Sequence, residues 1–232
     1  MKLRVLADAE SVAREGAAYI ADAAQAAVKD RGTFIFAVSG GRTPWVMMRA
    51  LAREALPWEA VHIVQVDERV APADDLDRNL AHLRESLLSN APLPPDNIHA
   101  MPVEEPDLAA ASAAYGRTLE ALAGTPPVLD LVHLGLGPDG HTASLVPGDP
   151  VLSVSDMPVG TTGVYQGRHR MTLTYPVLDG ARSVLFIVTG EEKVDALARL
   201  VAHDPTIPAG RVRPDNALVI ADRSAAAGVD HG

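Results

Sequence analysis

An α/β fold with a mostly parallel sheet is predicted by three features of this sequence. Short β-branched runs alternate with longer Ala/Leu-rich stretches along the whole chain, which is the pattern of βαβ units. Prolines and glycines gather at the joints, as in Ala91-Pro92-Leu93-Pro94-Pro95 and Gly124-Thr125-Pro126-Pro127. Glycine-rich segments follow two of the apolar runs directly, where an α/β sheet places its ligands, outside the carboxyl ends of the strands.

The predicted strands are residues 3–6, 33–38, 61–66, 97–101, 129–134, 170–174, 183–189 and 218–220. Between them the helical stretches are 9–29, 44–56, 79–89, 107–123 and 191–201. In the first helix Val12, Tyr19, Ile20, Ala23, Ala27 and Val28 recur at helical spacing on one face, enough to pack it on the sheet. No joint reads as a domain linker, so residues 1–232 are expected to form one domain, with 224–232 fraying as a tail.

Composition removes several classes of function. A formal charge of −10 argues against nucleic acid and anionic membrane surfaces as partners, so an anionic ligand needs a local basic pocket. The absence of cysteine excludes a disulfide framework, a thiolate nucleophile and Cys-ligated metal. Met1-Lys2-Leu3-Arg4-Val5-Leu6 runs into Asp8-Ala9-Glu10 without an apolar signal core, and no later run is long enough to span a membrane. A cytoplasmic protein without nucleic-acid or membrane partners, monomeric or weakly homo-oligomeric, is expected.

Four segments carry candidate chemistry. After the second strand, Ser39-Gly40-Gly41-Arg42-Thr43-Pro44 reads as a phosphate cradle at a helix N-terminus, with Thr43 as N-cap and Pro44 at the first helical position. Its length and ending are not those of the Walker loop. The third strand ends in Asp67-Glu68-Arg69, an acid and a base that could orient a substrate, although on its own this triplet reads more readily as a surface ion pair. Asp75, Asp77 and Asn79 imitate a calcium loop, but Leu80 replaces its glycine and Ser86 its glutamate; Asn79 is left to cap a helix or touch ligand.

The richest segment is Leu134-Gly135-Leu136-Gly137-Pro138-Asp139-Gly140-His141-Thr142-Ala143-Ser144. Its glycines spell a dinucleotide fingerprint, yet Pro138, Pro147 and Pro150 leave no room for the long helix that fingerprint must open. Histidine is a common general base, and Asp139 is close enough to share the surroundings of His141, so the pair can hold and deprotonate water. The other seven histidines form no ligand pair, and no metal is expected. Arg170 at a strand start and Lys193 in the first turn of a helix are further cationic candidates, each of which alone reads as a surface charge.

In order, these segments resemble the 6-phosphogluconolactonases. The matching stretches are Ser39 to Pro44, Asp67-Glu68-Arg69-Val70-Ala71-Pro72, Asn97-Ile98-His99-Ala100-Met101-Pro102, Leu134 to Ser144, Arg170-Met171-Thr172-Leu173-Thr174 and Pro208-Ala209-Gly210-Arg211-Val212. The resemblance implies a doubly wound, Rossmann-like fold shared with sugar-phosphate isomerases and deaminases, no cofactor, and a small phosphorylated sugar lactone as substrate. It implies hydrolysis of 6-phospho-D-glucono-1,5-lactone in the oxidative pentose phosphate pathway, with His141 activating water and Asp139 and Asp67 organising the site. Ser39, Gly40, Gly41, Arg42, Thr43, Arg69, Asn79, Gly137, Arg170 and Lys193 then line the phosphosugar pocket. Two departures, Arg42 in place of a small Ser or Thr and Arg78 in place of serine, both add positive charge near that pocket.

Two other readings fit the same segments. Hexosamine-phosphate isomerase-deaminases share the Asp-Gly-His core, but a glutamate follows their histidine by five residues, where this chain has Val146. A non-catalytic sugar-phosphate sensor would usually carry a DNA-binding segment and could dispense with the base, whereas Asp139 and His141 are both present.

Overall fold

The computed structural model describes residues 1–229. Its centre is a seven-stranded sheet in the order β1-β10-β9-β6-β2-β3-β5, with every neighbouring pair parallel. These strands are β1 (Lys2–Leu6), β2 (Phe34–Val38), β3 (Val61–Gln65), β5 (Ile98–His99), β6 (Leu131–Leu134), β9 (Val184–Val188) and β10 (Ala217–Asp222). In the β2–β3 register Phe34 lies opposite Val61 and Val38 opposite Gln65.

Both faces of the sheet are covered, so its strands are apolar on both sides. Phe34, Phe36 and Val38 face α1 (Ala9–Arg31) and α2 (Arg42–Leu51), packing with Val12, Ile20, Met47 and Met48. Ile35 and Ala37 point the other way, into the cluster built with α4 (Leu108–Ala123), α5 (Tyr175–Gly180) and α6 (Val194–Val201). The Asp8 side chain accepts the Ser11 N–H at 2.7 Å and so fixes the start of α1. Among the described residues, no helix is long and apolar enough to cross a membrane.

Several expectations are corrected. The run at 170–174 is a strand, β8 (Arg170–Leu173), but it lies outside the parallel sheet. It is the middle of a small antiparallel sheet, β4-β8-β7, with β4 (Asp67–Arg69) and β7 (Val159–Thr161), neither of which was expected. Helix α2 begins at Arg42, with Gly41 as N-cap at φ 136°, a backbone geometry that favours glycine. Thr43 is therefore inside the helix rather than its cap, and its hydroxyl meets Thr189 Oγ1 at 2.6 Å. Helix α2 ends at Leu51, and α3 (Asn79–Leu83) continues as a π turn, Arg84–Leu88. The tail expected to fray from Ser224 instead forms a turn, Ala225–Gly228, whose Ala225 and Ala226 are buried; residues 230–232 lie outside the described residues.

Chain direction across the sheet reverses between β2 and β6. From β2 the chain works outward through β3 and β5, whereas β6 leads the other way through β9 to β10. The loops after β2 and β6 therefore part at their carboxyl ends and leave a crevice, the place where open α/β sheets hold ligands.

Candidate functional site

A cavity of about 460 Å³ occupies that crevice, within the size range of small-molecule sites. The loop after β2 contributes Ser39, Gly40, Gly41, Arg42 and Thr43 to its lining, and the loop after β6 contributes Gly135, Gly137 and His141. Asp67 and Arg69 of β4, Asn79 of α3, Arg170 of β8 and Lys193 complete the set expected from sequence, with the exception of Asp139, which sits behind His141. Residues far apart in the chain thus meet because most of them follow the carboxyl end of a strand or lie on the small sheet beside it, with Asn79 joining them from the start of α3.

His141 and Asp139 form a close pair beside the cavity. His141 Nδ1 lies 2.6 Å from Asp139 Oδ1, and the His141 N–H donates to the same oxygen at 3.2 Å. A carboxylate only accepts, so Nδ1 carries the proton and, in the neutral ring, Nε2 keeps its lone pair. Burial alone would raise the Asp139 carboxyl; the His141 charge, the His141 hydrogen bonds and the Tyr165 hydroxyl outweigh it and hold it below the ordinary carboxylate range. Gly137 makes the pair possible, since a Cβ there would overlap His141 Nδ1. The loop is tied by Ala209 N–H to Gly140 O at 2.9 Å, which accounts for the Pro208 to Val212 stretch lying against it.

Asp67 is a buried hub. It accepts Ser144 Oγ–H at 2.6 Å and Asn79 Nδ2–H at 3.3 Å on its carboxylate, with Ser39 Oγ at 3.5 Å. Asn79 Oδ1 in turn accepts from Arg69 Nη1 at 3.0 Å. The surface-pair reading of Asp67-Glu68-Arg69 is overturned, because Asp67 and Glu68 are both buried. Glu68 accepts the Asn79 and Leu80 N–H groups, each at 2.8 Å, and so caps α3 from another element. Arg78 is also buried, paired with Glu104 and with its Nε 3.7 Å from Glu68 Oε2. Its charge is neutralised there rather than added to the cavity, contrary to expectation, while exposed Arg42 does line the cavity.

The cavity is rich in unused donors. The Nε groups of Arg69 and Arg170 are buried without hydrogen-bond partners among the described residues. The N-terminus of α2 opens onto the same space and carries free amides. Burial pushes the Lys193 amine and the Arg170 guanidinium below their ordinary ranges. Such an arrangement can hold a phosphate or a developing oxyanion beside a base.

Sequence reasoning missed Tyr165, Glu68, Ser144 as a partner of Asp67, and Asp222. Tyr165 reaches the Asp139 and His141 pair from the hairpin between β7 and β8. Asp222, at the end of β10, accepts the Gly190 N–H at 3.1 Å and so holds the turn before Lys193. Of these, Asp222 had a signal, an acid directly after an apolar strand; the contacts of the others join distant segments.

A twisted parallel sheet with a basic crevice and a carboxylate-supported histidine defines the class of α/β proteins that handle small anionic molecules at a topological switch point. Residues 7–221 match the family model described as glucosamine-6-phosphate isomerases/6-phosphogluconolactonase, and the chain belongs to that family. It is 40% identical over 200 residues to a 6-phosphogluconolactonase of Synechocystis sp., with 83% of each chain covered. A 6-phosphogluconolactonase of Mycobacterium tuberculosis is 34% identical, with 97% of each chain covered. The crystal structure of 6-phosphogluconolactonase from Thermotoga maritima superposes with a TM-score of 0.85 at 28% identity, covering 95% of this chain and 98% of that one.

Proposed function

We propose that this chain hydrolyses 6-phospho-D-glucono-1,5-lactone to 6-phospho-D-gluconate, as in the oxidative pentose phosphate pathway, with His141 activating the water. The observation that carries this reading is the Asp139–His141 pair, in which His141 Nδ1 lies 2.6 Å from the carboxylate and the imidazole lines the cavity. A lactone is an ester, so its opening needs a positioned water, a base near neutral pH and donors for the oxyanion.

In this mechanism Nε2 takes one proton from water as its oxygen bonds to the lactone carbonyl carbon. The carbonyl oxygen becomes an oxyanion facing the guanidinium groups of Arg69 and Arg170. Collapse reforms the carbonyl and breaks the ring carbon–oxygen bond, and the imidazolium returns its proton to the leaving alkoxide. Lys193, Arg42 and the α2 amides hold the phosphate. The names of the relatives support the substrate, and the acidic balance of the chain speaks against nucleic acid as a partner.

Amine release from a hexosamine phosphate is disfavoured because Val146, five residues after His141, is a buried apolar side chain that cannot relay a proton. The test is depletion of freshly made 6-phosphogluconolactone, corrected for its spontaneous opening. Wild type should accelerate it and His141→Ala should lose most of that rate while still binding 6-phosphogluconate. Full activity in His141→Ala would refute the mechanism, and ammonia from glucosamine 6-phosphate would favour the deaminase.

A further inference from the structure

The Asp139 and His141 pair spans only two positions of one loop, and Asp139 Oδ1 accepts both the ring and the backbone N–H of His141. Nothing within that loop fixes Oδ2, so the carboxylate could turn about its own bond and carry the imidazole with it. The hairpin between β7 and β8 supplies the missing constraint. Tyr165 Oη donates to Asp139 Oδ2 at 3.1 Å and lies 3.3 Å from His141 Nδ1. Its ring meets the imidazole edge to face, with centroids 5.5 Å apart and planes at 67°.

The hairpin is itself held in place. Tyr165 N–H donates to Arg168 O at 2.9 Å, closing the turn. Arg168 Nη2 reaches Asp75 Oδ2 at 2.7 Å and Asp77 Oδ2 at 3.1 Å, so the acids that imitate a calcium loop instead clasp the hairpin. Over the Tyr165 ring, the Arg170 guanidinium carbon stands 5.0 Å from the centroid, a cation–π distance. Tyr165 is therefore braced by one charged contact across its ring and another at the hairpin tip. It does not line the cavity, whereas His141 does.

The geometry points to Tyr165 as a positioning residue for the reaction: its hydroxyl pins the second carboxylate oxygen of Asp139, and thereby the orientation of the His141 ring that faces substrate. This rests on the lactonase reading for its effect on rate, but the contact can be judged without substrate. Groups that preorganise a catalytic pair act on turnover more than on binding, because they shape the transition state and not the pocket wall.

Tyr165→Phe removes the hydroxyl and keeps the ring against Arg170. We expect kcat to fall about tenfold with KM within about twofold, the size set by losing one hydrogen bond to a charged group. In an Asp139→Ala background the same substitution should have little further effect, since its target is gone. The Tyr165 hydrogen bond is one of the contacts holding the Asp139 carboxyl down. In substrate-free protein, a carbon-detected carboxyl titration should therefore show the Asp139 midpoint rising in Tyr165→Phe. An unmoved Asp139 midpoint, an unchanged kcat, or additive losses in the double variant would each overturn the assignment. Failure of wild type to accelerate lactone opening would instead strike the functional reading, leaving the titration to decide the contact by itself.

Discussion

Ser144 Oγ donates to Asp67 Oδ2 at 2.6 Å, joining the histidine loop to the small antiparallel sheet through two buried side chains 77 positions apart. That carboxylate also receives Asn79, which holds Arg69, so one hydroxyl steadies a chain of groups that ends at a cavity-facing guanidinium. Ser144→Ala leaves Asp67 short of a partner in a buried place. The expected cost is about 1–3 kcal/mol, read as a lower urea midpoint with an unchanged slope, together with a several-fold loss in lactone turnover.

Gly137→Ala isolates the geometry of the base from the stability of the fold. The new methyl would overlap His141 Nδ1 and crowd Asp139 Oδ1, forcing the imidazole aside. Misplacement of a reacting group by an ångström costs about 100-fold, so kcat should drop by that order while the circular dichroism spectrum stays that of wild type. Retention of wild-type kcat would show that the pair tolerates a different seat.

Lys193 should act on the phosphate and not on the lactone. Burial depresses its amine, with Arg42 adding to the effect and Glu192 and Asp139 opposing it. Lys193→Met should raise KM for the phosphorylated lactone about tenfold or more, as expected for losing a charge-assisted contact. Unphosphorylated gluconolactone, compared at equal concentration, should barely register the change. Equal losses on both substrates would place Lys193 at the reacting carbonyl instead.

His133 sets an acid limit on stability. The ring is fully buried in β6, accepts the Ser39 N–H at 3.3 Å on Nδ1, and is pushed by burial from the ordinary 6.5 down to about 3. Between those values the unfolded chain binds a proton that the folded chain refuses. Stability is thus unaffected above pH 6.5 and falls as pH drops from there towards 3, by at most about 1.4 kcal/mol per unit. His133→Asn keeps an acceptor for Ser39; its urea-derived stability should start lower at pH 7 and decline less steeply down to pH 4.5. An identical slope in both proteins would remove His133 as the cause.

The parallel sheet was legible because its strands are short, apolar on both faces and separated by amphipathic helices; period and turn chemistry are local properties. Sheet membership is not local. Arg170 to Leu173 reads as a strand, but only pairing with Asp67 to Arg69 shows that it leaves the main sheet. Thr43 is a better cap former than Gly41 by side chain, yet the positive-φ backbone at Gly41 decides where α2 starts. The glycine loops, Asp139 and His141 announced the cavity through residue types with little packing value. Glu68, by contrast, looks like an ordinary surface acid in the sequence and is buried, capping a helix eleven positions downstream. Tyr165 carries no local pattern at all, since its meaning depends on a hairpin folding back over a distant loop.

Strand β1 takes its place beside β10, and Asp222 at the end of β10 secures the Gly190 turn that precedes Lys193. Of the seven parallel strands, the earliest in sequence therefore has only the last as its neighbour, and that last strand must itself dock on β9. The loop carrying His141 is synthesised long before that moment, but the phosphate grip is not secured until the final strand docks. Such long-range closure makes folding slow compared with a protein of local contacts. It also means that appearance of phosphosugar affinity during refolding would report docking of β10, not merely collapse of the core.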